Sequence, residues 1–403
     1  MASIPTWKKN SVLFLLSQTI SQFGTAIVQY SIFWYITLST KSGMILTLTI
    51  IVGLLPTFLL SPLAGVFADR YSKKKMIMIS DGLIALVTLV LAVVFFNGYE
   101  SLVLLLFITL IRAIGVGIQN PASSSLVPEF VPKEKLSSFN GVLTGTLSLM
   151  NIISPAVSGL LLNILSFDQI LLIDVVTAVI GISLFYFIKV PGGRKEKSES
   201  YISDVKAGIG YIRKNSFLIL LFVYLAAHYF LATPEAFLTV LQVVRNYGDE
   251  VYRLSAIEIA FFLGMFFGGL TIIRFKGFKN RLHTLVATIF ILGVASLALT
   301  LPLRFGFYVV VIFLIGLMVA FFNTSATVFL QEKIDPAYQG RIFGIYTTLY
   351  NLMFPLGLMI FGPLADVLEI EMLLGITGIL MLFLGIFFSR SKSLLAYGDK
   401  EIL

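Results

Sequence analysis

A chain of 403 residues that is 58% hydrophobic and only 12% charged is not an ordinary soluble domain, in which roughly 25% of residues are charged. Runs of about 20 apolar residues recur from end to end, each long enough to cross a hydrocarbon core of about 30 Å, and the short alternating segments of a β-barrel are missing. Without cysteine there are no disulfides or thiolate metal sites, two histidines (His228 and His283) argue against a histidine-rich metal centre, and a net charge of +8 in such a chain concerns topology and lipid rather than nucleic acid.

The apolar runs predict an all-α membrane protein with twelve transmembrane helices, at 11–37, 44–68, 76–96, 101–121, 139–163, 169–189, 216–243, 255–275, 283–302, 306–329, 342–367 and 372–389. The first run is too long for the apolar part of a cleavable signal and reads as a span. With both termini in the cytoplasm, all but five of the 29 Lys and Arg fall on the inner side. The exceptions are Lys41, Arg245, Arg253 and Arg304 outside and Arg112 within a span, the asymmetry that the positive-inside rule requires. The inner basic loops are expected to contact anionic lipid.

Helix one places Gln18, Gln22 and Gln29 on one face, with Thr25 nearby. Between helices two and three comes "GVFADRYSKKK", residues 65–75, which packs five charges into a gap too short for a domain. Ionisable groups within the spans are costly in a bilayer and point to function. Asp81 in helix three and Arg112 in helix four fall at comparable depth by sequence counting, which makes each a candidate partner of the other, with the Lys73–Lys75 cluster as the alternative partner of Asp81. Helix five carries "SPAVSG", in which Pro155 kinks the helix and Gly159 permits close packing. Asp174 in helix six is expected to reach for the outer surface.

The stretch 190–215 is the longest hydrophilic segment. It reads as a cytoplasmic linker whose second part, with Tyr201, Val205, Ile209 and Ile212 on one side, forms an amphipathic surface helix. The chain therefore divides into a six-helix bundle over 1–189, the linker over 190–215, and a second six-helix bundle with a short cytoplasmic tail over 216–403. Helix seven places Tyr224, His228, Glu235 and Gln242 along one face. Pro234 is expected to open the hydrogen-bond ladder beside Glu235. Glu235 is the foremost candidate for carrying a proton or a cationic cargo, with His228 as a relay. Helix ten adds Phe321, Phe322 and Asn323. The bundles repeat: Asn151 and Pro155 of helix five recur as Asn351 and Pro355 of helix eleven, and Asn120, Glu129 and Pro132 recur as Asn323, Glu332 and Pro336. No G-x-x-x-x-G-K-[ST] phosphate loop is present, so ATP is not expected to supply the energy. No nucleophile–histidine pair suggests an enzyme.

The 65–75 stretch resembles the signature G-x-L-A-D-R-x-G-R-K of the major facilitator superfamily: Gly65, Ala68, Asp69 and Arg70 stand in place, Lys73 and Lys74 take the basic positions, and Phe67 and Ser72 replace the usual Leu and Gly. Gly269 to Arg274 is a weaker copy in which Ile273 stands for the acid. The resemblance implies two pseudo-symmetric six-helix bundles, with helices one, four, seven and ten lining a cavity. It also implies a gate in which Asp69 approaches the positive N-terminal end of helix eleven near Gly340 to Phe343. "SPAVSG" is similar to the antiporter motif of this superfamily, and Arg112 to an arginine linked to proton movement in its drug-efflux members. "LPTFLLSPLAGVFADRYSKKKMIMISD" and "QEKIDPAYQGRIF" resemble the macrolide-efflux and enterobactin-exporter branch. That branch implies a monomeric, multi-pass protein of the bacterial cytoplasmic membrane. Such a protein exports a bulky amphipathic small molecule such as a macrolide by proton antiport, without cofactor. A siderophore or other metabolite is the alternative cargo. A non-transporting receptor on the same fold is a further alternative, disfavoured by the intact gating motif.

Overall fold

In the computed structural model, which describes residues 6–188, 209–275, 281–302 and 304–390, twelve helices are long and apolar enough to cross a membrane. They are α1 (Thr6–Thr40), α2 (Gly43–Arg70), α3 (Lys73–Phe96), α4 (Leu102–Phe130), α5 (Lys133–Ile164) and α6 (Phe167–Tyr186). After these come α7 (Ser216–Tyr247), α8 (Val251–Phe275), α9 (Arg281–Ala298), α10 (Phe305–Lys333), α11 (Pro336–Leu364) and α12 (Ile370–Arg390). The linker helix expected over the second part of 190–215 lies largely outside the described residues, which resume at Ile209.

Several helices run further than their apolar cores. Polar caps explain where they start: Ser72 accepts from the Lys75 N–H (3.4 Å), Ser101 from Leu104 (3.3 Å) and Asn215 from Phe217 (3.2 Å). Gln169 reaches back to the Ser166 N–H at 3.2 Å. Pro121, which ended the fourth apolar run in the sequence, lies inside α4, which continues to Phe130. A membrane helix tolerates such a proline where neighbouring groups satisfy the freed carbonyl.

The chain divides into two compact units, one of Met1–Ser39 with Leu48–Ser198 and one of Thr40–Thr47 with Glu199–Leu403. Near one end of the first, Phe14 of α1 stands 5.4 Å from Phe130 and 6.0 Å from both Phe139 and Phe185, closing an apolar core with Ile77, Leu126 and Val127. In the second, α8 and α10 cross with backbones in contact. A Cβ on Gly316 would overlap the Phe261 carbonyl, and one on Gly264 the Phe313 carbonyl. Van der Waals packing of small residues is the main attraction between helices that lipid solvates as well as protein does. Gly316→Val is therefore expected to destabilise the second unit by at least about 1–3 kcal/mol, the usual cost of overpacking. A lowered thermal midpoint in detergent checks this.

The turn before α2 and the first residues of α2 belong to the second unit. Asp366, just past the end of α11, accepts from the Ser42 hydroxyl (2.7 Å) and from the N–H groups of Gly43 (2.6 Å) and Met44 (2.9 Å). Arg245 pairs with the same carboxylate at 3.1 Å. Burial alone would raise the Asp366 pKa. The bonds from Met44, Ser42 and Gly43, together with the Arg245 charge, outweigh it and hold the carboxyl below its ordinary value. A depressed folded-state pKa stabilises the fold above the unfolded value of about 3.9, and that contribution is lost as pH falls through the folded one. Asp366→Asn is thus expected to lower the melting temperature at pH 6, with the gap to wild type closing below about pH 4.

Candidate functional site

Two clusters of buried polar groups form, one in each unit. In the first unit, Arg112 of α4 and its partner Asp174 of α6 are both fully enclosed, their side chains 2% and 0% exposed. Arg112 donates to Asp174 Oδ2 and to the Thr88 hydroxyl of α3, and a second nitrogen reaches the Thr25 carbonyl of α1 at 3.3 Å. Thr25 Oγ1 donates to Asp174 Oδ1 at 2.9 Å, and Thr88 to Oδ2 at 3.1 Å.

This overturns two expectations. Arg112 does not pair with Asp81, and Asp174 does not reach for the surface. Because α4 extends past Pro121 to Phe130, Arg112 lies further from the C-terminal end of the helix than the apolar run suggested, and about 15 Å from Leu102 along the axis. Asp174 lies about 10 Å from the Phe167 end of α6, close to the same level. Asp81 sits two helical turns away, where it accepts from Ser21 of α1 (2.9 Å) and Gln119 of α4 (2.7 Å). A further step along α1, Gln18 accepts from Ser123 (3.1 Å) and from Gln22 (3.3 Å), while Gln29 is half-buried on the same helix. Pro155 and Gly159 are buried on α5, where Ser158 meets Ser31 at 2.8 Å.

The backbone of Gly65, Asp69 and Arg70 belongs to the last turns of α2, but their side chains lie outside the described residues. Lys73 binds Glu129 (2.6 Å) and the Ser125 carbonyl (3.0 Å). Lys74 donates to the carbonyls of Tyr186 (2.6 Å) and Ile188 (2.8 Å).

The second cluster centres on α7. Proline lacks an N–H, and its ring collides with the carbonyl four residues earlier, so an α-helix cannot pass Pro234 undisturbed. The chain responds by widening. Pro234–Leu238 forms a π turn between α-helical stretches Ser216–Leu231 and Thr239–Tyr247. Gly357 of α11 makes room for Thr233 at this point, since a Cβ there would overlap the threonine hydroxyl. The π turn breaks the even stripe that the sequence suggested.

Glu235 lies in the π turn, 6% exposed, with Oε2 lacking any hydrogen-bond partner. His228 is buried with Nδ1 unpartnered, its ring 4.1 Å from Phe322 of α10. Tyr224 stacks on Phe388 of α12 at 3.7 Å, and its buried hydroxyl also lacks a partner. Gln242 has its bonds filled: it donates to the Leu299 carbonyl (2.9 Å) and Glu371 (2.8 Å) and accepts from Tyr308 (2.8 Å). Phe321 is buried on α10 and Asn323 half-buried.

Sequence reasoning missed an aromatic wall beside the π turn. Tyr229 shares a hydroxyl–hydroxyl bond with Tyr346 (2.7 Å) and stands edge-on to Tyr350 (5.0 Å), with Phe354 5.8 Å away. Phe237 of the π turn meets Phe354 at 5.5 Å. The spacing of Tyr346, Tyr350 and Phe354, four residues apart on α11, was the available signal.

Twelve apolar helices in a two-unit chain, with buried ionisable groups in both units, describe a membrane transporter. Residues 14–358 match the model of the Major Facilitator Superfamily, and the chain belongs to that family. It is similar to Macrolide efflux protein A of Streptococcus pyogenes, 29% identical over 96% of each chain. It is also similar to Macrolide efflux protein A of Enterococcus faecalis, 30% identical over 79% of this chain and 99% of that one. The Staphyloferrin A transporter of Staphylococcus aureus is 22% identical over 91% of this chain and 92% of its own. Among solved structures, a bacterial homologue of the iron transporter ferroportin in an inward-facing state superposes with a TM-score of 0.72 at 15% identity. It covers 97% of this chain and 99% of that one, a likeness of fold. The protein is a multi-pass transporter of a bacterial membrane, not an enzyme.

Proposed function

We propose that this transporter exports bulky amphipathic drugs of the macrolide type in exchange for protons, by alternating access. It works as a monomer with both termini in the cytoplasm, and the proton gradient replaces any cofactor or nucleotide. Glu235 carries the proton. The observation that supports this most is its carboxyl, buried on a π turn with one oxygen unpartnered, on the helix that also carries Tyr229 and Phe237 of the aromatic wall. An enclosed carboxyl with no cation beside it is costly to keep charged, and it becomes cheap to bury once protonated. Aromatic faces next to such a group suit a large cargo carrying an amine. Two relatives named for macrolide efflux support the cargo class.

A siderophore is the second reading, favoured by the relative named for staphyloferrin A. An acidic cargo fits the α7 cluster poorly, because the acid Glu235 lies in the π turn and pairs with no cation among the described residues. Accumulation of a labelled macrolide in cells with and without the protein decides between them. Lower accumulation that an uncoupler restores is the expected result. Unchanged macrolide accumulation together with altered efflux of a labelled siderophore would select the second reading.

A further inference from the structure

Among the described residues, the first unit encloses two carboxyls in one polar column and supplies a single guanidinium to them. The column has a regular build. Thr88 and Asp81 are seven residues apart on α3, as are Arg112 and Gln119 on α4, and Thr25 and Ser21 are one turn apart on α1. Each level is closed by side-chain hydrogen bonds: Thr25, Thr88, Arg112 and Asp174 at one, Ser21, Asp81 and Gln119 about 10 Å further on. Gln18 and Ser123 continue it. Arg112 is committed to Asp174, so Asp81 is left with two neutral donors.

Among the described residues, the charged groups on the elements around Asp81 are few. From α4 there is Arg112, held by Asp174 of α6, and Glu129, held by Lys73. From its own helix there are Lys73, Lys74, which is bound to two carbonyls, and Lys75, which is exposed. α1 contributes only neutral side chains to this level. A 4% exposed carboxylate held only by neutral dipoles carries an unbalanced charge, which favours binding a proton. Two further donors along the column, Arg112 Nε and Gln18 Nε2, are buried and unpartnered, which suits water molecules that accept from them.

We propose that Asp81 is a proton-binding site of the first unit, separate from Glu235, and that Asp174 is the positioning residue that keeps Arg112 from neutralising it. The inference deepens the reading of the protein as proton-coupled and rests on that reading only for its role in transport. Infrared difference spectra across a pH titration of the purified protein in lipid nanodiscs test it without any cargo. The wild type should show protonated-carboxyl signals that lose one component in Glu235→Gln and a different one in Asp81→Asn. An Asp81→Asn spectrum identical to wild type overturns the proposal. Asp174→Asn should free Arg112 to pair with Asp81 and shift the Asp81 signal to lower pH. The double variant Arg112→Gln, Asp174→Asn, which removes both charges and is expected to be more stable than either single variant, should return the signal to its wild-type midpoint. A midpoint in that double variant as low as Arg112 pairing would give removes the positioning role. If Asp81 titrates as described while macrolide export proves insensitive to the gradient, the site stands and the functional reading falls.

Discussion

Glu235→Gln is expected to reduce gradient-driven macrolide export to the level of cells lacking the protein, while the purified variant elutes and melts like wild type. The amide keeps the size and much of the hydrogen-bonding capacity of the acid but cannot release a proton. The carboxyl makes no ion pair among the described residues, so its loss removes no electrostatic support from the fold. Binding of the cargo should survive, because the rings of Tyr229, Phe237 and Phe354 remain. Counterflow, in which labelled drug exchanges for unlabelled drug without net proton movement, separates the two steps. It should persist in Glu235→Gln while uphill export is lost. Loss of both would make Glu235 a binding or structural residue, and survival of both would remove it from the mechanism.

The largest effect on stability is expected at the Arg112–Asp174 pair. Both side chains are enclosed, and removing one leaves the other charged and unpaired, at a typical cost of about 3–5 kcal/mol. Asp174→Asn and Arg112→Gln should each lower the thermal midpoint of the purified protein sharply. Removing both should cost much less than the sum of the two, since the groups act as one. Additive losses would show that the pair does not share its energy. Asp81→Asn should be milder, because no ion pair is broken there.

The twelve spans were legible because bilayer thickness dictates the length of an apolar run, and nothing in the packing of a bundle can override it. Helix ends were less so. Pro121 read as the end of the fourth helix, yet α4 absorbs it and Pro128 and runs on to Phe130. That extension is what misplaced Arg112, since depth was counted from the wrong end. Asp174 illustrates a second limit. A lone acid near the end of an apolar run can bend to the surface or find a cation on another helix. Its own sequence does not say which helix stands opposite at that level. The break at Pro234 was readable from the residue itself, but its form, a widened turn carrying Glu235, depends on Gly357 making room on α11. Gln242 fitted the polar stripe of helix seven equally well, yet its partners Tyr308, Leu299 and Glu371 come from three separate parts of the chain.

Proteoliposomes containing the purified protein and a trapped pH dye test the central claim most directly. A macrolide gradient imposed across the membrane should drive protons in the opposite direction. Glu235→Gln should abolish the dye response while leaving macrolide exchange intact. Macrolide movement with no dye response in the wild type would contradict proton-coupled export.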